Sequence, residues 1–212
     1  MIYADRKIGG SGQWNNSNGA YTITPVDNVN DYYISQKNYE GPFGTKDVIS
    51  PIETAEEKND RFYVMALTDF NAGTYYCWYY AAHRGWTNIG MDDYATATSG
   101  NFGTGKTNTA TMIKKWNAKS YGKQNTGTYL DMWGVIQDEV NKGWFVPSRA
   151  EWAAFGGALG ITQGNLRNFG LSTGYWSSSQ NTQYLAWYNY VSNGMDGRSV
   201  LDKTYVRLSK TF

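Results

Sequence analysis

The chain has 212 residues, with 19 Lys and Arg against 18 Asp and Glu, so no basic field draws it to nucleic acid and no acidic block marks a solvating tail. Aromatic residues make up 17% and are spread along the sequence among 24 Gly; they can bury enough area to offset chain entropy, which argues against disorder, and the length suits one loop-rich domain of ordinary size or one domain with an N-terminal extension. No apolar run is long enough to span a bilayer, residues 1–20 lack the hydrophobic stretch of a signal peptide, and the single Cys77 excludes an internal disulfide.

Residues 1–60 mix short β-type pieces (21–24 and 31–35) with Gly, Asn and Pro punctuation at Gly9-Gly10, 15–19, Pro25 and 41–44. They read as a β-rich lead-in with few core residues. The charged run 53–60 then marks an exposed connection to a main domain over 61–212. Residues 62–67 and 74–82 are dense in β-branched and aromatic side chains, with turn residues at 69–73 between them, and predict two strands. Cys77 falls in the second, where a small buried thiol is expected rather than a reactive one. Residues 83–99 show no clear period.

Three helices are expected next. Thr107 or Asn108 caps the first, with Ile113 and Trp116 on one face. The second spans 128–140, where Tyr129, Met132, Trp133, Ile136 and Val140 recur at three- and four-residue steps, and 141–143 stop it. Ser148-Arg149-Ala150-Glu151 is a capping box directly after Pro147, opening a third helix with Trp152, Phe155 and Leu159 as its buried stripe. Strands follow to the C-terminus. This order predicts an α+β fold with antiparallel strands, not a wound parallel sheet.

The segment 174–208 carries the candidate binding surface. Tyr offers large amphipathic contact area with few rotamers to lose, and its Ser, Asn and Gly adapt their hydrogen bonding. Asn193-Gly194 predicts a two-residue type I′ turn that pairs Ser192 with Met195 and Tyr190 with Gly197. Side chains alternate along a strand, so Trp187, Asn189 and Val191 share one side and Tyr188 and Tyr190 the other. With Trp176 and Trp187 as core, Tyr188 and Tyr190 are expected to face outward toward a partner. Asp196 and Arg198 then fall on the Trp187 side.

Motifs that suggest catalysis are weaker than they look. Gly100 to Thr107 satisfies the spacing of a phosphate loop and precedes a helix. Such a loop also needs an apolar strand leading in, and 92–99 are rich in Thr, Asp and Ala, so a glycine-rich helix entry is the plainer reading. His83 is the only histidine, so any Ser-His-Asp or Cys-His arrangement depends on it, and no orienting third group accompanies it. One Cys and one His do not make a zinc site. Asp92-Asp93, Asp131, Asp138 and Glu139 lack the alternating-oxygen spacing of a calcium loop, and the last three read as a solvated helix face. Tyr175-Trp176-Ser177-Ser178-Ser179 has no base beside it. No cofactor is expected.

Several motifs occur in one order: Gly103 to Thr109 before a helix, Gly143 to Trp152, Tyr175 to Gln180, Ala186-Trp187, Ser192-Asn193-Gly194 and Tyr205-Val206-Arg207. In this the chain resembles bacterial and phage domains of the C-type lectin fold, especially the variable proteins of diversity-generating retroelements. The resemblance covers about residues 100–208 well and 61–99 loosely. It implies a C-type lectin-like fold, antiparallel strands with two to three helices, whose C-terminal codons an adenine-directed reverse-transcription process rewrites. Carried over by position, the ligand-binding residues are Asn181, Thr182, Gln183, Tyr184, Tyr188, Asn189, Tyr190, Met195, Asp196, Arg198 and Ser199. Tyr175, Trp176, Trp187, Gly194, Val206 and Arg207 match the scaffold.

Two departures from related proteins narrow the function. The Glu-Pro-Asn or Gln-Pro-Asp triplet and the Trp-Asn-Asp ligands of calcium-dependent lectins are missing, and formylglycine-generating enzymes of this fold need a cysteine pair. The implied function is a non-enzymatic display protein on a bacterial cell surface or phage tail, alone or as an oligomer. Its partner would be a protein or glycan on a cell surface. Two other classes stand beside it: a hydrolase using His83, and a passive structural subunit of a phage tail or cell envelope.

Overall fold

The computed structural model describes residues 1–5, 12–15, 20–23, 40–41, 44–45, 62–80, 98–118, 126–162, 164–182, 184–190 and 194–212. Five strands come first: β1 (Ile2–Asp5), β2 (Gly12–Asn15), β3 (Ala20–Ile23), β4 (Glu40–Gly41) and β5 (Gly44–Thr45). Next are β6 (Phe62–Met65), β7 (Tyr76–Cys77), α1 (Gly105–Ala118), α2 (Met132–Val135), α3 (Gln137–Asn141), β8 (Trp144–Phe145) and α4 (Arg149–Ala158). A 3-10 turn at Leu166–Phe169 leads into β9 (Gly174–Gln180), β10 (Leu185–Tyr190), β11 (Gly194–Ser199), β12 (Lys203–Thr204) and β13 (Ser209–Thr211). Helices with antiparallel sheets make the fold α+β.

The largest sheet has the order β1-β6-β13-β8 and joins both ends of the described chain. Ile2 pairs with Val64 and Asp5 with Phe62, while Lys210 pairs with Val64 from the other side. Tyr3 is buried against Tyr63 and Phe155, with ring centroids 5.9 and 5.8 Å away. Residues 2–5 therefore pair into the sheet that holds β6 and β13. The boundary expected at residue 60 and the strand expected at 31–35 lie outside the described residues.

The second sheet, β11-β10-β9, is the one that carries the site. Every residue of β9 is buried, because β9 runs between two cores. Tyr175 belongs to the core with Trp152, Phe155 and Phe145, and stacks on Trp152 at 4.9 Å. Trp176, next in sequence and so on the opposite face, belongs to the core with Tyr76, Trp133 and Val206, and its indole N–H donates to the Tyr76 carbonyl at 2.8 Å. Each large ring buried this way contributes about 1.5–3 kcal/mol over its exposed state.

Local signals hold at some elements and give way at others. The capping box forms: the Ser148 hydroxyl accepts from the Glu151 N–H and the Glu151 carboxylate accepts from the Ser148 N–H. α1 starts at Gly105, so Asn108, expected as its cap, is an interior residue whose buried carboxamide donates to the Ser99 carbonyl at 2.7 Å. The helix expected over 128–140 is two short ones, α2 and α3, meeting at Ile136. Gly134 lets Trp116 of α1 lie against α2, since a Cβ there would sit 2.7 Å from the indole. Asp131 is not on a solvated face. It is buried and accepts from the Tyr80 N–H at 2.6 Å and the Trp116 indole N–H at 3.0 Å.

Candidate functional site

β9 is the fixed base of the site. Its serines are buried, and their hydroxyls work as clamps rather than nucleophiles: Ser177 donates to the Trp187 carbonyl at 2.9 Å and Ser179 to the Ser99 carbonyl at 2.7 Å, while Ser178 accepts from Asn108 at 3.2 Å. The backbone edge away from β10 is also satisfied. The Trp176 N–H reaches the Tyr205 carbonyl, Ser178 N–H the Pro147 carbonyl, and Gln180 N–H the Thr98 hydroxyl. A strand paired on one edge and fully bonded on the other has no freedom to slip.

β10 lies on this base with Tyr188 opposite Trp176 and Tyr190 opposite Gly174. Tyr188 is only 5% exposed, which corrects the expectation that it faces a partner. Its ring meets Trp176 edge-on at 5.8 Å, and its hydroxyl lies 1.9 Å from where a Cβ on Gly174 would be. A glycine on β9 thus opens the slot that the tyrosine fills. Asn189 is 1% exposed and is likewise no contact residue; neither polar atom of its amide has a hydrogen-bond partner among the described residues. Trp187, expected in the core, is partly exposed instead, and the Arg149 guanidinium stacks 3.9 Å above its ring.

The hairpin register differs as well. Tyr190 pairs with Gly194 and Trp187 with Gly197, so three residues, 191–193, connect the strands where the Asn-Gly dipeptide predicts two. Relative to the expected pairing this is a three-residue shift. An odd shift exchanges the faces, so Asp196 and Arg198 lie on the Tyr188 side, and the Arg198 guanidinium sits 4.8 Å over the Tyr188 ring. Met195 and Gly197 share the Trp187 side.

The predicted set therefore divides between two faces and a turn. Thr182 and Asp196 are exposed, and Asn181, Tyr184, Met195, Arg198 and Ser199 are partly exposed. The Thr182 hydroxyl orders the β9–β10 turn by accepting from the N–H groups of Tyr184 and Leu185 at 3.2 and 3.1 Å. Arg198 Nε pairs with Asp202 at 2.7 Å; with the side chains 40% and 44% exposed, the pair contributes little to stability. Gln183 and the side chain of Tyr190 lie outside the described residues. Arg149, Trp187 and Asp202 join the surface without having been predicted. Arg149 carries no local signal beyond its place after Ser148, and the side on which Trp187 lies depended on the register.

Sites that the motifs suggested elsewhere are occupied by the protein itself. The start of α1, where a phosphate loop would hold its ligand, receives the buried Glu151 carboxylate, 3.2 Å from the Gly105 nitrogen. Cys77 is buried and donates to the Leu201 carbonyl at 3.2 Å; burial, then the nearby Asp131 carboxylate, pushes its thiol up to about 12. A groove of about 260 Å³ is lined by Asp69, Phe70, Glu139, Trp144 and Leu208 among others. Its carboxylates are already paired, Asp69 with Arg207 and Glu139 with Lys142. His83, Asp92 and Asp93 lie outside the described residues.

Among the described residues no three His, Cys, Asp or Glu side chains group to hold a metal ion, and no helix is long and apolar enough to cross a membrane. No family model, curated protein or solved structure matches the chain.

Proposed function

We propose that the chain is a ligand-binding display protein of C-type lectin-like fold, whose surface over residues 181–199 binds a macromolecular partner and is diversified by a retroelement. The observation that carries this reading is the contrast between neighbouring strands. β9 is buried and hydrogen-bonded throughout, whereas Asn181, Thr182, Tyr184, Trp187, Asp196, Arg198 and Ser199 reach solvent beside it. A rigid base under replaceable outward side chains lets sequence change without loss of fold, and preorganisation of that kind governs affinity more than area does. Tyr188 and Asn189 leave the contact set because their side chains are inside. Such a protein acts by binding and not by turnover, on a bacterial cell surface or phage tail, against a protein or glycan on a cell surface.

Sequencing sibling copies of the gene from one population tests this. Substitutions should concentrate at the outward positions of 181–199 and spare Gly174, Trp176, Tyr188 and Asn189, with a reverse transcriptase and a near-duplicate of the 3′ end nearby. Substitutions scattered evenly through α1 and α4 would reject the reading.

A further inference from the structure

The Arg149 guanidinium is stacked on an aromatic ring. Its carbon lies 3.9 Å from the Trp187 ring centroid, and among the described residues its side chain makes no hydrogen bond or ion pair. Arg198 and Arg207, by contrast, are each paired with a carboxylate. Stacking uses the flat face of a guanidinium and leaves its N–H edge free, in a fixed plane that matches a carboxylate two bonds at a time. The rotamer freedom that a lone surface arginine loses on binding is here already restricted.

The surroundings suit the same ligand. Trp187 faces Gly197 across the hairpin. The Asn181 carboxamide lies over the same glycine, its nitrogen 2.1 Å from where a Cβ would be, and among the described residues it too makes no hydrogen bond. Leu185, Asn189, Met195 and Ser199 complete that face of the two strands, and none is acidic. Asp196 and Asp202 go with Arg198 on the other face.

We infer that Arg149, held flat on Trp187, is the anchor for an acidic side chain of a protein partner at this surface. The inference rests on the reading of residues 181–199 as a binding surface and adds to it a fixed contact from α4. A protein carboxylate is favoured over a saccharide because the guanidinium covers a Trp187 ring face on which a sugar would stack, whereas its N–H edge has no partner among the described residues.

The test uses the whole chain with fluorescently labelled poly-L-glutamate, and labelled heparin as the glycan probe, followed by anisotropy at low salt. Poly-L-glutamate should bind, and Arg149→Ala should weaken it about tenfold or more, the scale of lost hydrogen bonds to a charged group. Arg149→Met keeps the aliphatic cover on Trp187 and should lose as much, so a folding defect in the alanine variant does not decide the matter. Arg149→Lys should restore only part, since it keeps charge without the fork, and Arg167→Ala should change nothing. The proposal is overturned if poly-L-glutamate does not bind, if Arg149→Met binds as well as the parent chain, or if heparin binds through Arg149 in preference. Should that happen while sibling genes vary only at outward positions of 181–199, the binding surface stands and the acidic anchor alone is withdrawn.

Discussion

Glu151 Oε1 accepts a hydrogen bond of 3.2 Å from the backbone N–H of Gly105, 46 residues earlier, while Oε2 accepts one of 2.7 Å from Ser148 in its own capping box. One buried carboxylate therefore closes the starts of α1 and α4 together, at the positive ends of both helix dipoles. Gly105 is required by this closeness, since a Cβ there would lie 2.2 Å from the carboxylate.

Removal of that carboxylate should be costly. Glu151→Ala leaves two buried N–H groups without an acceptor, each worth about 1–3 kcal/mol, so urea denaturation should report a loss of about 2–5 kcal/mol. A nucleoside triphosphate should not raise the melting temperature, and a rise that depends on Lys106 would show that the helix start is open to phosphate after all.

The slot between Gly174 and Tyr188 makes a second prediction. Gly174→Ala drives a methyl into the tyrosine ring and should destabilise by about 1–3 kcal/mol. Tyr188→Ala should cost about 3–5 kcal/mol as a cavity. Because both changes act on one space, the double variant should cost clearly less than the sum; strict additivity would mean that the two residues do not meet.

Outward positions should behave differently. Thr182→Ala removes the acceptor that orders a turn and should cost about 1 kcal/mol. Asp196→Ala should stay within about 0.5 kcal/mol. Thermal melts of these beside Tyr188→Ala separate display positions from scaffold, and a Tyr188→Ala melt as mild as that of Asp196→Ala would reverse the assignment of faces.

The thiol of Cys77 gives a pH signature. Its folded-state value, about 12, lies above the ordinary 9.0, so above pH 9 the unfolded chain loses a proton that the folded chain keeps. Stability should therefore be full below pH 9 and fall as pH rises from there toward 12. Burial also raises the Tyr175 phenol, in the same sense. Cys77→Ala should reduce the alkaline slope, and iodoacetamide at pH 8 should modify Cys77 only after denaturation.

By itself the sequence determined what neighbouring residues decide among themselves: the capping box at Ser148 and Glu151, the strand beginning at Phe62, the buried stripe of Trp152 and Phe155, and the α+β order. These rest on bonds and periodicities a few residues long. It also marked 174–208 as the stretch to look at. Tertiary structure alone decided which way that stretch faces. Alternation along β10 assigns residues to two sides but does not say which side is inside, and here both sides find cover, Tyr188 in the Gly174 slot and Trp187 under Arg149. The Asn193-Gly194 preference for a two-residue turn, worth little beside the packing of a tyrosine ring, yielded to the pairing of Tyr190 with Gly194. The anion at the start of α1 likewise comes from another helix, and contacts between residues so far apart in the chain leave no local pattern to read.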